Sequence, residues 1–169
     1  MMAARDVLKN INLFVDGRGY AGQVESVTPP TLTLQTEEFR AGGMDAPIDV
    51  TLGMEKLEAS FALRAYDSDV LALFGLSEGA SVPLTFRGAL ESYDGSVKAV
   101  VMNMRGKITS MEPGTWTPGE LSSLNVTVSL NYFKQQHDGR AIHEIDVENM
   151  VRIINGVDTL AAIRSALAM

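Results

Sequence analysis

The sequence predicts a mainly β protein, an antiparallel sandwich- or barrel-like subunit with two short helices. Three observations carry this. Apolar and polar residues alternate with a period of two in several segments, most clearly from Leu124 to Tyr132. Asp16-Gly17, Asp94-Gly95 and Asp138-Gly139 supply hairpin-turn dipeptides between such segments. No stretch alternates strand with crossover helix, so a parallel sheet is not expected. The chain has 169 residues, which suits one domain over 1–169 with a sizeable core.

Taken in order, Asn12 to Val15 and Gln23 to Val27 read as a first hairpin across Asp16-Gly17-Arg18-Gly19, stopped by Pro29-Pro30. Thr31 to Glu37 alternates next, with Leu32 and Leu34 against Thr33, Gln35 and Glu37. Lys56 to Arg64 repeats the pattern, with Leu57, Ala59, Phe61 and Leu63 against Lys56, Glu58, Ser60 and Arg64. Asp67 is placed to cap a helix of about two turns whose stripe is Val70, Leu71, Leu73 and Phe74, ended by Gly75.

Val82 to Glu91 is a further strand, turned at Asp94-Gly95 into Val97 to Arg105. That second strand is apolar on both faces and is expected to be covered twice. A loop from Glu112 to Gly119 encloses Trp116, the single tryptophan. In the strand that follows, Leu124, Val126, Val128, Leu130 and Tyr132 oppose an uncharged polar face of Ser123, Asn125, Thr127, Ser129 and Asn131. His137-Asp138-Gly139 turns the chain into Ala141 to Asp146. Asp158 is expected to cap a last helix with the stripe Leu160, Ile163 and Leu167. The total is about eight strands.

The formal net charge is -7, which argues against a surface that grips nucleic acid, since that needs a basic stripe. It leaves room for a surface that lets nucleic acid pass. Without cysteine there is no disulfide and no thiolate metal site. No run approaches the length of a membrane span, and the first ten residues lack the order of a signal peptide, so intracellular synthesis is expected.

Motifs of chemistry are weak. Gly17-Arg18-Gly19-Tyr20-Ala21-Gly22 fits G-x-G-x-x-G, but a strand pattern ending in two prolines follows where a dinucleotide site needs a helix. His137 and His143 flank a turn without a third converging ligand, so surface turn residues are the reading preferred to a metal site. No G-x-S-x-G turn is present. Asp67 and Asp69 suit a helix start without any catalytic role. Asn125-Val126-Thr127 fits a glycosylation acceptor but lies mid-strand. No catalytic residue, metal or cofactor is expected, and the chain is not read as an enzyme.

The loop Phe39-Arg40-Ala41-Gly42-Gly43-Met44-Asp45-Ala46-Pro47 stands out. It is too long for a tight hairpin and carries apolar side chains where a connector would be polar. Long ordered loops in compact domains are usually functional. It reads as a contact arm, with Met44 an adaptable knob for a partner.

These segments resemble the major tail tube proteins of contractile-tailed bacteriophages and the tube proteins of R-type pyocins. The resemblance rests on four stretches in the family's order. They are Asn12-Leu13-Phe14-Val15-Asp16-Gly17, the loop 39–47, Tyr132-Phe133-Lys134 through Asp138-Gly139, and Glu144 to Met150 followed by Ile154-Asn155-Gly156-Val157-Asp158. It implies a subunit that assembles into homo-hexameric rings, stacked into a hollow tube inside a sheath. Each subunit would give strands to a continuous barrel around the bore.

Several residue roles follow from the resemblance. A loop over 40–50, with Phe39, Arg40, Gly42, Gly43, Met44, Asp45 and Pro47, would reach the adjacent ring. The bore would be lined by Thr33, Gln35, Glu37, Lys56, Glu58, Ser60 and Arg64, and by Ser123, Asn125, Thr127, Ser129 and Asn131. Leu34, Leu57, Phe61, Leu63, Val126, Val128 and Leu130 would then form the core. Residues 147–169 would be a C-terminal extension ending in a helix. The implied partners are the sheath protein, a baseplate or tube-initiator protein and a tape-measure protein, with DNA passing the bore unbound in the phage case. The implied location is the virion tail. The alternative is a monomeric β-sandwich module that binds a ligand or peptide through the loop. Phage and pyocin are not separated by these residues.

Overall fold

Residues 3–169 are described by a computed structural model. Twelve strands and two short helices follow one another. They are β1 (Val7–Val15), β2 (Arg18–Gly19), β3 (Val24–Thr28), β4 (Leu34–Phe39), β5 (Ile48–Met54), β6 (Leu57–Leu63), α1 (Ser68–Leu71), β7 (Val82–Glu91), β8 (Val97–Glu112), β9 (Leu124–His137), β10 (Arg140–Asp146), β11 (Val151–Ile154), β12 (Val157–Asp158) and α2 (Ala161–Ala166). Among the described residues no helix is long and apolar enough to cross a membrane.

All pairing is antiparallel, as the hairpin signals predict. The main sheet runs β12-β11-β10-β9-β8-β7-β1-β2, with β3 and β6 attached through β9. The long strands β8 and β9 are its spine. β9 lies on β8 along its length, and its other edge is shared: Leu124 to Leu130 pair with β6, and Tyr132 to His137 pair with β10. At the fork the register steps by one, since Arg105 faces Tyr132 while Gly106 faces Leu130. Asn131 is the extra residue of this bulge, and the bend it makes lets two neighbours share one strand edge.

Leu13 and Val15 of β1, Leu57, Phe61 and Leu63 of β6, Leu84 and Phe86 of β7, Met104 of β8, and Val126, Val128 and Phe133 of β9 form one buried cluster. Alternation places them there, because a strand with one apolar face gains most when that whole face is dry.

Several expectations are corrected. The first hairpin is β1 with β2, Phe14 opposite Gly19, while β3 pairs with β6 and not with β1. Asp16 (φ 50) and Gly17 (φ 81) take the left-handed conformations that make the turn so tight. The loop 39–47 does not join β4 to β6. It joins β4 to β5, a strand not anticipated, and these two form a separate sheet. Leu34, expected in the core, is therefore 49% exposed. β8 is covered on one face by Val100, Met102 and Met104, but Val97 on the other face is exposed and Val101 only half-buried.

The helices also depart from expectation. α1 is a single turn: Asp67 does accept the Asp69 N–H at 2.9 Å, yet only Val70 is buried, and Leu71 and Phe74 are exposed. In the tail, Leu160 and not Asp158 occupies the α2 cap position, and no α2 residue is buried. Asp158 instead accepts the Leu160 N–H and grips Arg164.

Candidate functional site

The polar face predicted for the late strand is one wall of a larger surface. Through pairing with β6, Ser129 lies beside Glu58, Thr127 beside Ser60 and Asn125 beside Ala62. On the other side of β9, Ser129 faces Lys107, Thr127 faces Ser110 and Asn125 faces Glu112. β3 adds Ser26 beside Ala62 and Thr28 beside Ser60. So β3, β6, the first half of β9 and the last part of β8 form a four-stranded segment with one wettable face and one core face.

The cations of this face are paired. Lys56 Nζ lies 3.4 Å from Glu58, and Arg64 Nη2 lies 3.0 Å from Glu25. Glu25 also accepts the Ser123 hydroxyl. Lys107 Nζ reaches Glu78 at 2.7 Å and holds that carboxyl below the usual carboxylate range by donating to it.

Both edges of the segment are open. Among the described residues β3 has no strand partner other than β6. β7 leaves β8 at the Val82–Gly106 pair, so Lys107 to Glu112 of β8 are paired on the β9 side only. Unpaired edges invite another chain.

The β4–β5 arm projects beside this segment. Phe39 pairs with Ile48 and Glu37 with Val50, and Leu52 is the extra residue of a bulge. Phe39, Ile48, Val50 and Leu52 are all at least 41% exposed. In the connecting loop, the Met44 N–H donates to the Ala41 carbonyl at 3.2 Å and the Met44 Sδ accepts the Ala41 N–H at 3.4 Å. Arg40 Nε donates to the Met44 carbonyl at 3.3 Å. Gly43, at φ 89, closes this turn, and Gly42, Asp45 and Pro47 are exposed around it. Met44 is thus half-buried on its own loop, and the free apolar surface of the arm belongs to Phe39 and β5.

The structure brings Lys56, Glu58, Ser60, Arg64, Ser123, Asn125, Thr127 and Ser129 together on one surface. Asn131 stands at its margin, in the bulge, donating to Glu148. Gln35 and Glu37 lie on the separate sheet, and Thr33 precedes it, its carbonyl accepting the Glu55 N–H. Sequence reasoning missed Ser26, Thr28, Lys107, Ser110 and Glu112. A bulge at Glu25 and another at Thr109 break the alternation that would have revealed them.

The C-terminal tail extends the sheet at its β10 edge through β11 and β12. An apolar groove of about 770 Å³ lies between β5, β9, β10 and the tail, lined by Leu52, Met54, Leu130, Val147, Met150 and Ile163 among others. Arg164 fastens the tail by donating to the Met150 carbonyl and to Asp158. Among the described residues, no group of three or more His, Asp or Glu is arranged to hold a metal ion.

Comparison with known proteins agrees with this geometry. The profile of the family described as phage tail tube protein FII matches residues 5–167. The tail tube protein of Escherichia phage P2 is 35% identical over 163 residues, covering 94% of this chain and 95% of its own. The major tail tube protein of Serratia phage KSP20 is 30% identical over 153 residues, covering 89% and 88%. The fold is similar to chains of two cryo-EM structures of an extracellular contractile injection system. One is its PVC sheath–tube complex in the extended state (TM-score 0.57, 12% identity, 75% of this chain and 88% of that one). The other is its sheath/tube terminator (TM-score 0.58, 12% identity, 75% and 93%). A family match over nearly the whole chain, with two relatives that are both tail tube proteins and a mainly β fold that presents open edges, leads to one conclusion: this chain belongs to the phage tail tube protein FII family, whose members are structural proteins of the virion tail and not enzymes.

Proposed function

We propose that copies of this chain close into six-membered rings through the two open edges of the four-stranded segment. β3 of one copy adds to Lys107–Glu112 of the next, so that the segment becomes part of a continuous barrel. Both edges run antiparallel to their inner neighbours and both are free along the segment, which is the observation that carries the reading. Closure removes the unpaired backbone groups that a lone copy exposes.

In this ring the polar face lines a water-filled bore and the core face stays inside each subunit. The rings stack through the β4–β5 arm, whose exposed apolar residues then find cover. A head-to-tail contact of this kind repeats without closing and yields a filament. The tube fits inside a contractile sheath, as the sheath–tube complex with a chain of similar fold suggests, with a baseplate or initiator protein at one end and a tape-measure protein in the bore during assembly. In a phage, DNA leaves through the bore without specific binding.

Negative-stain microscopy of the concentrated, purified chain tests this. Hollow rods with six-fold end views are expected. A chain that stays monomeric at high concentration, with no rings, would contradict it.

A further inference from the structure

We propose that the loop between β8 and β9, with Trp116 and Leu121 at its crest, seats in the apolar groove beside the β4–β5 arm of a second copy in the next ring. The inference rests on the stacking reading above and names what the arm side of a ring receives.

The loop holds its tryptophan in place and leaves it wet. Tyr66 ties the two ends of the loop together: its phenol donates to the Pro113 carbonyl at 2.7 Å and accepts from the Ser122 hydroxyl. The Tyr66 ring packs against Trp116, with centroids 4.9 Å apart and planes tilted by 49°. Even so, Trp116 is 69% exposed and Leu121 is 85% exposed. Tryptophan is enriched among the anchors of protein–protein contacts. One that is already held loses little freedom when it docks.

The groove of about 770 Å³ lies at the other end of the same strands. The loop leaves β8 after Glu112 and enters β9 at Leu124, which pairs with Leu63. The groove is lined by Leu130 and by Leu57, its partner on β6. The rise from Leu124 to Leu130 along β9 is about 20 Å, so a copy does not fill its own groove with its own loop. A knob at one end of a subunit and a hole at the other make a head-to-tail joint, which repeats along a stack.

The groove suits this occupant. Leu52, the bulged residue of β5, belongs both to the arm and to the groove wall, so the seat is continuous with the stacking surface. Leu52, Val147 and Ile163 are exposed, so the arm side and the tail side of the groove both lack cover. The charges also agree. Glu120 is the only charged residue between 113 and 123. Among the described residues it has no cation within ion-pair distance, and Arg152 in the groove wall has no carboxylate. Arg152 Nε donates only to Thr159 Oγ1, at 2.9 Å. Asp146, in the same wall, already accepts from Asn149, and Glu55 and Lys56 offset each other at the rim.

The test separates contacts between rings from contacts within one. The chain has no cysteine, so Leu52→Cys with Leu121→Cys supplies the one reactive pair. Rods of this double variant are treated with a short bis-maleimide and run on a denaturing gel. A ladder extending well past six subunits is expected, because each link joins one ring to the next. A ladder that stops at six would place the contact within a ring, and rods without a ladder would give the groove another occupant; either result overturns the inference. Should Leu52→Cys spoil rod formation, Val147→Cys takes its place.

Trp116 gives a second reading. Its fluorescence is expected to shift to the blue when rods form, and to remain that of an exposed indole in Phe39→Asp rings. A blue shift already complete in unstacked rings would overturn the inference. Leu121→Asp is expected to raise the concentration needed for rods about tenfold, with the unfolding midpoint of the subunit unchanged. Rods of this variant forming at the wild-type concentration would also overturn it. Rods that form without the ladder defeat this inference alone, whereas a wild-type chain that makes rings and no rods defeats the stacking reading and this inference with it.

Discussion

Gly106 of β8 lies directly against the Ser129 carbonyl of β9. A Cβ placed on Gly106 would overlap that oxygen and stand 2.9 Å from the Leu130 Cα. The contact sits at the bulge where β9 passes from β6 to β10, so it fixes the point at which the sheet divides. Backbone cannot step aside as a flexible side chain can. Gly106→Ala is expected to destabilise the subunit by about 3 kcal/mol. Urea unfolding of the unassembled chain measures this, and a midpoint equal to wild type would contradict it.

The arm separates folding from assembly. Phe39 is 53% exposed and Ile48 54%, and they face each other on a sheet that packs little against the core. Phe39→Asp is expected to leave the unfolding midpoint within about 0.5 kcal/mol of wild type while abolishing long tubes. Met44→Asp is expected to shorten tubes with the subunit still folded, and less severely, because Met44 already packs on its own loop. Tube lengths by microscopy decide both. Unchanged lengths in Phe39→Asp would remove the arm from stacking.

Acid should loosen the tail first. The Arg164 guanidinium donates to Asp158 and holds its carboxyl below the usual value, with the Leu160 N–H adding to the effect. A depressed folded-state pKa stabilises the fold above the unfolded value of about 3.8 and loses that contribution as pH falls through the folded value. Hydrogen exchange in 151–166 is therefore expected to rise below pH 4 before exchange in β9 does. Asp158→Asn should show the same loosening already at pH 7.

Tyr20 reports on the join between β2 and β3. Its phenol is pushed up to about 12, chiefly by burial and then by a hydrogen bond to the Asp67 carboxylate. Because the neutral phenol is favoured in the fold, this contribution is complete below pH 10 and fades as pH rises toward 12. Tyr20→Phe is expected to delete the most alkaline step in the ultraviolet titration of the tyrosines. A titration unchanged by the substitution would mean that Tyr20 is not packed as described.

What the sequence made legible was local. β6 and β7 alternate, and β9 alternates as far as the Asn131 bulge, so the core faces from Leu57 to Leu63 and from Leu124 to Leu130 are legible; past the bulge the buried face switches, and Phe133 is in the core where Tyr132 is expected. β3 is legible as a strand, but its neighbour is not. Its partner lies far along the chain, and no short-range pattern specifies a pairing between Val27 and Phe61. β5 lies outside the expected strands although Ile48, Val50, Leu52 and Met54 alternate with Asp49, Thr51 and Gly53, because a detached hairpin exposes the apolar residues that usually mark a core strand. The tail strands β11 and β12 are too short to show a period. The polar face of β9 was readable, whereas its continuation onto β3 and β8 was hidden by the one-residue bulges at Glu25 and Thr109. Open edges leave no trace in a sequence at all, since they are defined by partners that are absent.

The most direct measurement is a cryo-EM map of the assembled tube, fine enough to trace strands and place side chains. It is expected to show β3 of each subunit hydrogen-bonded to Lys107–Glu112 of its neighbour, with Asn125 and Thr127 facing the bore. A map with Val126 and Val128 turned toward the bore, or with both of those edges left in solvent, would contradict ring closure as described.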